Sequence, residues 1–176
     1  ANFWDRDRKM MSSIFGSFGP LVAPRMSKGS ELIAVIQSGQ ESKAIDLLHS
    51  MDASEWLSVD NEDSNDLALI DRGNLQGFNA LQIACQRGHL TITMELLSFG
   101  ARLDIPCTST NQDYSGNLAL HFAALCNNKY IIEYLMLRGA DPSVPNKKGS
   151  IALDLTNDKF CQKILQRDKN TLIKTM

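Results

Sequence analysis

Residues 116–141 read G-N-L-A-L-H-F-A-A-L-C-N-N-K-Y-I-I-E-Y-L-M-L-R-G-A-D, and residues 77–102 read G-F-N-A-L-Q-I-A-C-Q-R-G-H-L-T-I-T-M-E-L-L-S-F-G-A-R. The two stretches share a Gly, then Ala-Leu, then Ala, then paired apolar residues, then Gly-Ala. A third copy begins 33 residues after Gly116, at Gly149, as G-S-I-A-L-D-L. A period of that length is the mark of a stacked solenoid in which each unit buries its apolar face against the next. Ala123 and Ala124 allow close approach between helix axes, because little side chain stands between them. Ile131, Ile132, Leu135 and Met136 recur at the spacing of a helix that buries one face. Gly88, Asn127 and Asn128 suit the left-handed residue that ends a helix. Gly139 and then Pro142 close the unit.

These residues resemble the ankyrin-repeat family. That family's Thr-Pro-Leu-His stretch and following alanines correspond to Leu118-Ala119-Leu120-His121-Phe122-Ala123-Ala124, and in the preceding unit to Asn79-Ala80-Leu81-Gln82-Ile83-Ala84-Cys85. Gly88-His89 matches the link between paired helices, and Gly139-Ala140-Asp141 the close of a unit. The resemblance spans residues 30–165 and implies an all-α helical repeat solenoid with short hairpin loops. Four units are expected, near 30–50, 77–104, 116–144 and 149–165, the outer two as caps. Ser30 is expected to cap the first helix. The resemblance also implies that His121 and His89 brace loop backbone.

Two interruptions depart from the period. One lies within residues 51–75 and carries Asp52, Glu55, Asp60, Glu62, Asp63, Asp66 and Asp71 with no Lys or Arg between Asp52 and Asp71. It reads as a solvated acidic loop. The other lies within residues 105–115. Insertions in repeat proteins map to loops, often on the binding face. Residues 1–29 read as a docked helix, a segment contacting a partner or membrane, or a linker; residues 166–176 read as a tail. The chain opens on Ala, which suits a piece of a longer protein.

The formal net charge of −2 offers no field for nucleic acid, and no apolar run reaches membrane-spanning length. Cys85, Cys107, Cys126 and Cys161 show no C-x-x-C spacing and read as reduced thiols, which suits the cytoplasm or nucleus. No phosphate-binding loop, dinucleotide fingerprint or zinc-protease motif is present. No catalytic, cofactor or metal residues are therefore assigned. A Cys126–His121 dyad is disfavoured because their spacing places them on different helix faces.

Function is expected to lie on the surface, in binding another protein or peptide. The rival expectations are a regulatory or scaffolding domain of a larger enzyme acting in cis, and self-association between the acidic insertion and the basic C-terminal end. Superposing the units aligns Ala34, Ile83 and Phe122, then Gln37, Gln86 and Leu125, then Ser38, Arg87 and Cys126. The expected contact residues are Ile83, Gln86, Arg87, Phe122 and Leu125 on the inner helices. At the loops they are Asp113, Tyr114, Asn146, Lys147 and Lys148.

Overall fold

A computed structural model describes residues 27–58 and 67–167. Its helices are α1 (Lys28–Gln37), α2 (Glu41–His49), α3 (Ala53–Trp56), α4 (Ala80–Arg87), α5 (Leu90–Ser98), α6 (Ala119–Leu125), α7 (Lys129–Leu137) and α8 (Lys159–Leu165). Two 3-10 turns, Leu69–Asp71 and Ala152–Leu155, complete the elements. No strand occurs among the described residues. The helices pair as α1/α2, α4/α5 and α6/α7. The inner helices α1, α4 and α6 pack in series, the turn Ala152–Leu155 continues that row, and α2, α5, α7 and α8 form the outer row.

The core is one continuous cluster running through these units. Leu32, Ile36, Leu48, Leu81, Ile92, Leu96, Leu120, Phe122, Ile132 and Leu135 are fully buried in it. At about 25 cal/mol for each Å² of apolar surface removed from water, burial of this kind is the main term favouring a stack of such short helices. The link between inner and outer helix turns on left-handed backbone. Gly88 takes φ 79° and Asn127 takes φ 54°. Asn127 also accepts a hydrogen bond from the Thr156 hydroxyl at 2.6 Å, so its side chain is used across the unit boundary.

One device recurs at the start of each inner element. Gln82, His121 and Asp154 each accept a hydrogen bond from the amide three residues earlier, those of Asn79, Leu118 and Ile151. Gln82 and His121 also reach the next loop. The Gln82 amide donates to the Ile105 carbonyl at 2.9 Å, and His121 Nε2 donates to the Ser150 carbonyl at 3.2 Å. His121 thus braces loop backbone, as the resemblance implies. Because Nδ1 accepts and Nε2 donates, the imidazole is the neutral Nε2–H form. Burial pushes its pKa below the usual histidine value.

Three expectations are corrected. Helix α1 begins at Lys28 and is capped by Ser27, whose hydroxyl accepts the Ser30 amide; Ser30 is already helical. His89 does not brace the hairpin: its Nδ1 meets Glu41 Oε1, tying α5 to the first turn of α2. The insertion after the first unit is not simply a solvated loop. Trp56 is buried and its indole N–H donates to the Leu48 carbonyl at 2.8 Å. Leu69, Ile70 and Asp71 are buried at its far end, where the Leu69 carbonyl would lie 2.7 Å from a Cβ at Gly29. Asp71 accepts the Arg102 amide at 2.9 Å, and burial raises its pKa. Asp60, Glu62, Asp63 and Asp66 lie outside the described residues, as do residues 1–26 and 168–176.

Candidate functional site

The C-terminal ends of the inner helices form the surface left open by the stack. Ser38, Arg87 and Cys126 are exposed there, and Leu125 is 38% exposed. Gln37 and Gln86, one position earlier in their units, are half-buried. The open face thus runs through the last residues of α4 and α6, with a cation in one unit and an apolar side chain and thiol in the next. Arg87 makes no ion pair with a described residue, and a guanidinium suits a carboxylate.

Two of the expected contact residues are instead core. Ile83 is 2% exposed and Phe122 is 0% exposed. They belong to the register one turn earlier, which faces the neighbouring unit. Phe122 packs in an aromatic triangle with Phe78 and Tyr114, with centroids 5.6, 5.6 and 5.9 Å apart. This triangle explains Tyr114, which is half-buried: its ring seats the insertion on the body of the protein. The same insertion is held at its base by backbone. Thr108 N–H donates to the Gly77 carbonyl, Gly116 N–H to the Cys107 carbonyl and Cys107 N–H to the Asn117 carbonyl. Gly77 has φ 84°, and a Cβ there would stand 2.4 Å from the Ser109 nitrogen. Only glycine fits that contact.

Asn146 is the third correction. It is 7% exposed. Its Oδ1 accepts the amides of Lys148 and Ser150, and its Nδ2 donates to Asn117 Oδ1 at 2.7 Å. Asn74 makes the same turn two loops earlier, accepting from Gln76 and Phe78. Both asparagines stand three residues before a loop glycine, so the repeat itself carried the signal that this is turn chemistry. Lys147, Lys148 and Asp113 are exposed, and Lys148 Nζ pairs with Asp113 Oδ1 between neighbouring loops.

The chemistry of the site is that of recognition. Both ring nitrogens of His121 are engaged by backbone, so neither is available to activate Cys126. Burial raises the Cys126 pKa, which disfavours the thiolate. The four cysteines are free thiols. No group of three His, Cys, Asp or Glu side chains able to hold a metal is found among the described residues, and none of their helices is long and apolar enough to cross a membrane. Sequence reasoning missed one exposed feature: Tyr130 and Phe160, second residues of α7 and α8, are 63% and 70% exposed. The signal was there, since the equivalent position in α5 is the polar Thr91.

Comparison with known proteins agrees with this architecture. A family model described as ankyrin repeats (3 copies) matches residues 32–146. The chain is 32% identical over 115 residues to the ADP-ribosylation factor GTPase-activating protein AGD4 of Arabidopsis thaliana, covering 62% of this chain and 14% of that protein. It is 34% identical over 83 residues to AGD2 of the same plant, covering 47% and 10%. It is 33% identical over 80 residues to the putative palmitoyltransferase ZDHHC13 of Danio rerio, covering 46% and 12%. The chain thus spans a seventh or less of the length of these relatives. Ankyrin repeats are non-catalytic modules of protein interaction, and the enzymatic names of these relatives refer to other parts of much larger proteins. From its helix pairs, its left-handed links and the match across residues 32–146, this chain belongs to the ankyrin-repeat family.

Proposed function

We propose that this chain binds a segment of a partner protein across the open ends of α1, α4 and α6 and the adjoining loops. The observation that carries this reading is the shared exposed register. Ser38, Arg87 and Cys126 hold one position in consecutive units, and Gln86 and Leu125 flank it. An exposed arginine in one unit and an exposed leucine in the next is the composition of an interface anchor. Lys147, Lys148 and Asp113 stand in the loops that precede the inner elements, at the other end of the same inner row, where they set charge complementarity rather than most of the affinity.

The reading is tested by affinity capture with the wild-type chain and an Arg87→Glu/Leu125→Asp variant, both shown to be folded by circular dichroism. Specific partners should drop out of the variant's set. Identical sets would overturn the assignment of this face.

The small share of the relatives' length that the chain covers favours a second reading, in which the repeats regulate or scaffold a larger enzyme in cis. That reading predicts an intramolecular cross-link from the Arg87 face to another part of a longer natural chain.

A further inference from the structure

Beside the open ends of the inner helices, where the chain hands over to the outer helices, lies a surface that the proposed Arg87 face does not use. Helices α7 and α8 start side by side there and pack against each other. Lys129 and Lys159 are their first residues, and Tyr130 and Phe160 their second. All four side chains are exposed, and Lys163 lies one turn further along α8. The Lys129 ammonium sits over the Tyr130 ring, 4.7 Å from its centroid.

None of these three lysines makes an ion pair with a described residue. Asp158, which precedes α8, accepts the amides of Phe160 and Cys161. Those amides hold it below the usual carboxylate range, the Cys161 contact first, with the Lys129 charge adding to the effect. Glu133, one turn beyond Lys129, is half-buried. The edge is therefore cationic with aromatic patches.

It is also concave. An open groove of about 250 Å³ is lined by Gly88, Leu90, Asn128, Lys129 and Tyr130. Asn128 would ordinarily cap α7, but its amide donates instead to the Cys85 carbonyl at 3.0 Å. The start of α7 thus has no side-chain cap, although the Lys129 amide donates to the Asn127 carbonyl at 3.0 Å, and the helix dipole adds to the lysine charge.

We propose that this edge is a second docking surface, and that its occupant is an acidic segment of a partner protein carrying an apolar side chain. Its carboxylates meet Lys129, Lys159 and Lys163, and its apolar side chain enters the groove between Leu90 and Tyr130. A groove flanked by aromatics fits a chain better than it fits a flat anionic bilayer. This surface adjoins the Arg87 face through Gly88 and Asn127, so two segments of one partner can be held side by side.

The test is a titration of the isotope-labelled chain, followed by NMR, with a synthetic peptide of sequence Asp-Glu-Asp-Leu-Glu-Asp blocked at both ends. The expected result is shifts centred on residues 88–90, 127–131 and 159–163. Affinity should fall steeply between low and physiological salt, because the contacts are exposed charges. The Asn/Gln version of the peptide should lose the response. A Lys129→Glu/Phe160→Ser variant should bind about tenfold more weakly or worse, and Tyr130→Ala should weaken binding without reversing charge. Partner loss in the Arg87→Glu/Leu125→Asp variant is read by capture and these shifts by titration, so the two surfaces fail separately. No shifts, or shifts elsewhere, would overturn the proposal. So would phosphatidylserine vesicles that bind where the peptide does not, or concentration-dependent line broadening from self-association at this edge.

Discussion

At the residue scale, His121 and Gln82 provide a natural comparison. They occupy equivalent positions and make equivalent bonds, one to the amide three residues back and one to the next loop. Only His121 titrates. Its folded pKa is lowered, chiefly by burial, below the ordinary value of about 6.5. The unfolded chain therefore binds a proton more readily than the folded one. The stability due to the neutral imidazole is fully present above about pH 6.5 and is lost as pH falls through the folded pKa. Protonation would also set an Nδ1–H against the Leu118 N–H. A His121→Gln variant should keep both bonds, so its urea midpoint should fall less between pH 7.5 and pH 5.5 than that of the wild type. Asp71 acts in the opposite sense, since its raised pKa favours the folded state as pH falls; it is common to both proteins and cancels in the comparison. Asn127 tests a different local cost. Replacement by Ala places a Cβ-bearing residue without a compensating side-chain bond at φ 54° and removes the Thr156 contact. The left-handed strain and one hydrogen bond together should cost about 2 kcal/mol in denaturant unfolding.

At the scale of the element, α6 shows how close a core register lies to a surface register. Phe122 and Leu125 stand one turn apart on the same helix, yet one is fully buried and the other partly open. Phe122→Ala should destabilise by about 3–5 kcal/mol, as loss of a large core ring does. Leu125→Ala should change stability by roughly 0.5 kcal/mol or less while weakening partner capture. Thermal or urea unfolding of the two variants decides this. The same helix shows what the sequence could convey. The helix pairs and their closing glycines were legible because apolar periodicity and Gly-Ala punctuation repeat across units. The exposed face was legible only in part. Alignment correctly grouped Ile83 with Phe122 and Arg87 with Cys126, but it cannot say which group faces the neighbouring unit. That depends on the rotation of each helix against the next, and on Phe78 and Tyr114 arriving from loops to close over Phe122. The structured ends of the first insertion were hidden for a similar reason: Trp56 and Asp71 sit among acidic residues, and only their tertiary partners draw them inward.

At the scale of the whole molecule, stability should vary along the stack, because each unit is held chiefly by its neighbours. The central helices α4 to α7 have packed units on both sides, and Arg138 ties α7 to the Leu97 carbonyl of α5 at 3.0 Å. The last unit has a four-residue 3-10 turn in place of an inner helix and a seven-residue outer helix. Amide hydrogen exchange should therefore be slowest in α4 to α7 and markedly faster in α8; uniform protection would mean that the units unfold as one block. The 105–115 insertion has a further consequence. Its base is fastened by Thr108 to Gly77, Gly116 to Cys107 and Cys107 to Asn117, and its side by the Tyr114 ring, whereas Asn111 and Gln112 at its crest are exposed. Asn111 accepts the amides of Asp113, Tyr114 and Ser115, so the graft site is the exposed Thr110 just before that turn: a short epitope spliced between Thr110 and Asn111 should be displayed for antibody capture while the melting temperature stays within a few degrees of the parent, making this loop a handle by which the scaffold can be given a new specificity.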